Sequence, residues 1–102
     1  MIKVRLSKAA ANYLRSEAHY LRQRSPVAAR NFASAMKDAQ QMLQAFPKAG
    51  KRGYGLQLKD SLTLVVGDYL LDYLFDGQHV YIILIRHGRM MTAVPDVEED
   101  EE

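Results

Sequence analysis

Arg86-His87-Gly88-Arg89 is the densest group of side chains in this sequence able to do chemistry. An imidazole moves protons near neutral pH, and guanidinium groups stabilise a phosphorane. With Lys59 they could support acid–base cleavage of a phosphodiester. The same residues could instead form a basic strand end that touches a partner. His87 reads more readily as a surface residue closing a strand than as a general acid, so His87 and Arg89 are the only catalytic candidates. His19 and His79 show no metal-ligand spacing, and cysteine is absent, which removes thiol nucleophiles, disulfides and Cys-type zinc sites. No metal and no cofactor is expected. Lys48, Lys51 and Arg52 sit among glycines, but this stretch follows a helix pattern and precedes a strand pattern, the wrong context for a phosphate-binding loop. It reads as a flexible basic loop, either solvated or in contact with an acidic partner.

The chain that must position these groups has 102 residues. Surface scaling lets a chain of this mass bury roughly 65% of its unfolded surface, enough for one core. The net charge of +2 hides an asymmetry: residues 96–102 hold six acids and no base, leaving a body of 14 bases against six acids. Such a body favours a polyanionic or acidic partner. We expect one domain over residues 1–95 and a disordered acidic tail over 96–102. The N-terminus carries charges among its apolar residues, unlike a signal peptide, and the apolar run 80–85 is far short of the ~20 residues that span a bilayer. A soluble cytoplasmic protein without membrane contact is expected.

Ile2, Val4 and Leu6 alternate with Lys3 and Arg5, which predicts a strand. Ser7 stands at a helix N-cap position, and Ala10, Leu14, Ala18 and Leu21 follow at helical spacing. Ser25-Pro26 marks a helix boundary. A second helix over 26–46 places Phe32, Met36, Ala39, Met42, Leu43 and Phe46 on one face until Pro47 stops it. The two helices should form an antiparallel hairpin. Strands are predicted at 56–59, 62–66, 68–75 and 80–85, with Asp76-Gly77 as a two-residue turn. The fold class is α+β: an N-terminal strand and a two-helix hairpin packed on one face of a curved antiparallel sheet.

Two helices cover one face of such a sheet, yet both faces read as apolar. Tyr69, Leu71, Tyr73 and Phe75 oppose Leu70, Asp72 and Leu74; Val80, Ile82 and Leu84 oppose Tyr81, Ile83 and Ile85. Only residues 90–97 remain to cover the second face. An external protein partner, a second copy of the chain or residues 90–97 folding back would each answer this.

The ordered set Gly67-Asp68-Tyr69-Leu70-Leu71-Asp72-Tyr73, Asp76-Gly77, Val80-Tyr81-Ile82-Ile83-Leu84-Ile85 and Arg86-His87-Gly88-Arg89, with Ser25-Pro26-Val27-Ala28-Ala29 and Phe46-Pro47 upstream, resembles the ParE/RelE superfamily over residues 2–92, and the ParE branch most. The resemblance implies a toxin of a type II toxin–antitoxin module, as in plasmid stabilisation, neutralised by a cognate antitoxin whose C-terminal segment wraps the toxin. ParE-like members inhibit DNA gyrase. RelE-like members cleave mRNA on the ribosome using basic residues and a late tyrosine. This chain has Gly55 and Gln57 where RelE-like chains place lysines and Leu70 where they place an arginine; only Arg89 matches, and no tyrosine follows Tyr81.

The expected function is therefore a ParE-like toxin that binds gyrase, with a ribosome-dependent mRNA endoribonuclease as the alternative. Arg86, His87, Arg89, Met90 and Met91 are the expected target contacts. Leu14, Leu21, Leu70 and Leu74 are the expected antitoxin contacts. Either a homodimer or a toxin–antitoxin hetero-oligomer fits.

Overall fold

The computed structural model describes residues 2–52 and 59–88. The order is β1 (Lys3–Leu6), α1 (Lys8–Arg24), α2 (Pro26–Ala45), β2 (Leu62–Val66), β3 (Tyr69–Phe75) and β4 (His79–His87). One four-stranded sheet has the spatial order β1-β4-β3-β2. The α+β class and the helix hairpin stand as expected. The expected strand at 56–59 falls largely outside the described residues, as do Arg89, Met90, Met91 and the acidic tail.

The sheet is mixed rather than wholly antiparallel. β2, β3 and β4 form a meander, and β1 pairs parallel with β4, Val4 opposite Val80 and Leu6 opposite Ile82. A tight turn can join only antiparallel neighbours, whereas β1 reaches β4 through the whole intervening helical crossover.

Serines set the helix ends. Ser7 caps α1 by accepting the Ala10 N–H, and Ser25 caps α2 by accepting the Ala28 N–H while its own N–H closes α1 on the Leu21 carbonyl. Pro26 occupies the first turn of α2, where its missing N–H costs nothing. From α2, Ala29, Phe32, Met36, Ala39 and Leu43 are buried against the sheet. Met42 and Phe46, expected in that stripe, are 48% and 66% exposed. They lie at the edge of the helical face near its C-terminal end, beyond the reach of the sheet.

A β-bulge corrects the expected faces of β4. Asp72 stands opposite Leu84 and Tyr73 opposite Ile82, so Ile83 is the extra residue. The bulge inverts the alternation: Val80, Ile82 and Ile85 all join the core, leaving Tyr81, Leu84 and Arg86 on the other face. Strict period two splits Ile85 from Val80. Ser7 fastens this irregular point, donating its backbone N–H to the Ile82 carbonyl at 2.8 Å and its hydroxyl to the Ile83 carbonyl at 2.6 Å.

The β3–β4 turn lies one residue later than expected. Asp76 pairs with His79, and Gly77-Gln78 form the tip, with Gly77 at φ 100°. The Asp76 carboxylate accepts the N–H groups of Gln78 and His79, which holds its pKa below the usual value. The basic stretch after α2 is anchored where it is described. Lys51 makes both backbone hydrogen bonds to Thr63 at 2.8 Å, and the buried Tyr73 hydroxyl accepts the Gly50 N–H and donates to the Pro47 carbonyl.

Candidate functional site

β4 carries the expected target contacts, and its pleat separates them. Neighbouring strand residues point to opposite faces, so Arg86 and His87 do not act together. On the face away from the helices, Arg86 grips Asp72 through two hydrogen bonds, Nε to Oδ2 at 2.8 Å and Nη2 to Oδ1 at 3.0 Å. Asp72 is 0% exposed and also accepts the Thr63 hydroxyl. This planar fork-to-carboxylate pairing fixes the guanidinium. Sequence reasoning left Asp72 without a role; the one acid in the apolar strand at 69–75 was the available signal.

His87 faces the helices. Its ring meets Tyr69 edge-on at 5.1 Å between centroids, and Tyr69 also touches Phe32 at 4.9 Å and Tyr13 at 6.4 Å. The Tyr69 hydroxyl donates to Glu17 at 2.5 Å. Burial, then the Glu17 carboxylate, pushes the Tyr69 pKa well up; burial, then the Glu17 charge, pushes Tyr13 up to about 12. Both phenols stay protonated at neutral pH and serve as donors. They line an open groove of about 830 Å³ with Glu17, Leu21, Asp68 and His87.

The other expected residues are dispersed. Lys59 and His19 are exposed. His79 lies 3.6 Å from Asp76 at the β3–β4 turn. Among the described residues no three His, Asp or Glu side chains gather in a way that could hold a metal ion. Leu14 and Leu21 pack on the core from the helix side, Leu14 beside a second groove of about 440 Å³. Leu70 and Leu74 lie on the opposite face, Leu70 buried and Leu74 half-buried. The four leucines thus share no single surface. Val65 and Tyr81, 54% and 46% exposed on the face that holds Leu70, were missed as contact candidates. The bulge that assigns Tyr81 its side is invisible in a period-two pattern.

The family model described as ParE toxin of type II toxin-antitoxin system, parDE, matches residues 4–92. The chain belongs to the ParE toxin family. Among solved structures it is similar to a chain of the chromosomal ParDE TA system from P. aeruginosa, with 19% identity, a TM-score of 0.67, and coverage of 85% of this chain and 96% of that one. At that identity the likeness shows the fold alone. No curated protein matches the sequence. As a ParE toxin the chain is the toxin component of a type II toxin–antitoxin system, which implies a cognate antitoxin. The RelE alternative finds no support in these matches. For a ParE toxin, the arrangement is that of a binding protein with two differently built faces: an aromatic groove on the helix side, and an apolar surface centred on the Asp72–Arg86 pair on the other.

Proposed function

We propose that this ParE toxin arrests growth by binding DNA gyrase, without covalent chemistry of its own, and that its antitoxin neutralises it by wrapping the domain. The family match across residues 4–92 carries this reading. The separation of Arg86 from His87 supports it, because cleavage of RNA needs its acid, base and charge-stabilising groups around one phosphate. The target would meet the end of β4 and the next few residues, namely His87, Arg89, Met90 and Met91, with Arg86 held in place by Asp72. An antitoxin reaching Leu14 and Leu21 as well as Leu70 and Leu74 would have to pass round a sheet edge, as an extended segment can. No helix among the described residues is long and apolar enough to cross a membrane. A gyrase inhibitor would work in the cytoplasm, as a toxin–antitoxin hetero-oligomer when silenced.

Purified protein in micromolar excess should inhibit gyrase supercoiling, and added antitoxin should restore it. Full supercoiling, together with mRNA cleavage in a translation extract, would overturn the reading in favour of an endoribonuclease.

A further inference from the structure

The helices leave one side of the sheet to be covered by something else, yet the middle of that side is not bare. Thr63, Leu70 and Asp72 point away from the helices and are 3%, 6% and 0% exposed, although none belongs to the core built with α1 and α2. Around them Val65 and Tyr81 remain exposed and Leu74 and Leu84 half-buried. Burial along the centre with open margins fits a narrow strip of chain rather than a second layer.

The described chain ends on this side. A Cβ placed on Gly88 would lie 3.8 Å from the Leu70 Cγ, and the Gly88 N–H binds the Asp68 carbonyl at 2.5 Å. Residues 89–102 come next, with Met90, Met91, Ala93, Val94 and Val97 as apolar groups and six acids within 96–102. The face offers the matching order. From Gly88 back along β4 come Leu70, Leu84, Leu74 and Tyr81, and then Arg5 opposite Tyr81 and Lys3 opposite His79. Lys3 and Arg5 are exposed, and neither makes an ion pair among the described residues. Lengths agree as well. Tyr81 lies about seven strand residues back from Gly88, or about 23 Å at the strand rise, and about seven extended residues beyond Gly88 cover the same span. That brings Asp96 to the two cations.

We propose that residues 89–102 of the same chain run back along this face, their apolar part over Leu70, Leu84 and Leu74 and their acids against Lys3 and Arg5. The chain thereby shields its own apolar strip and offsets part of the charge of its basic body. A tethered segment acts at high effective concentration, so weak contacts suffice. This docking does not depend on gyrase being the target, and it holds or fails separately.

The absence of cysteine lets a nitroxide be attached at a single site in the full chain, through Glu102→Cys. Amide signals of Lys3, Arg5 and Tyr81 should broaden several-fold more than those of Arg30 and Lys37 on the exposed side of α2, and the difference should vanish near ~1 M salt, where such charges are screened. Lys3→Glu with Arg5→Glu, both at exposed positions, should abolish it in the folded protein. Uniform broadening, or broadening centred on the helices, would overturn the proposal. So would equal broadening when label and observed signals reside on different molecules, which would assign the face to a second copy.

Discussion

Asp72→Ala would leave the Arg86 guanidinium without its two hydrogen bonds to the carboxylate while most of that side chain stays sheltered. Breaking a buried pair from one side costs about 3 kcal/mol, which for a domain of this size lowers the melting temperature by about 10 °C or more. Arg52→Ala removes an ion pair too, but Arg52 and Asp60 are 3.7 Å apart and both largely exposed. That change should stay within about 0.5 kcal/mol. Thermal melts of both variants measure the contrast. Equal effects would mean that Asp72 is not the anchor of the open face.

At the scale of elements, Ser7 joins three parts of the fold. It caps α1, receives the end of β1 and holds the bulge of β4 through the Ile82 and Ile83 carbonyls. Ser7→Ala loses the cap and leaves the Ile83 carbonyl without the hydroxyl, for about 2 kcal/mol. Ser25→Ala loses only the cap of α2, because the Ser25 backbone bond to Leu21 survives, for about 1 kcal/mol. Urea denaturation should place the midpoint of the Ser7 variant clearly below that of the Ser25 variant. These elements were largely legible beforehand. Caps, proline and the apolar stripe are local signals, so α1, α2 and the strand at 62–66 emerged with nearly their observed bounds. The parallel pairing of β1 and the position of the β3–β4 turn were not legible. Both depend on which strand edges meet and which hydrogen bonds close, and neither is encoded within a short window.

For the whole molecule, stability should fall in alkali. Tyr13, Tyr69 and Tyr73 come from α1 and both halves of β3, and burial raises all three above the ordinary phenol value of 10.0. The unfolded chain therefore releases these protons first. Above pH ~10 the folded state binds more protons, so stability is fully present below that pH and is lost as pH rises toward and past the value of about 12 for Tyr13. Urea midpoints should hold steady up to about pH 9.5 and drop steadily beyond it, and Tyr13→Phe should shallow the drop. A flat profile would show that these hydroxyls are as solvated in the folded protein as in the unfolded one.

The sequence by itself determined the element types, the helix hairpin, the surplus of apolar strand residues and the charge split between body and tail, because each is a matter of local spacing or counting. It also carried enough ordered motif to point to the ParE branch. Only the tertiary structure decided which side chains act together. One inserted residue in β4 reassigned the faces, committed Arg86 to Asp72 and turned His87 toward Tyr69. A side chain's partners depend on strand register and pleat, and register is settled by contacts between segments far apart in the chain.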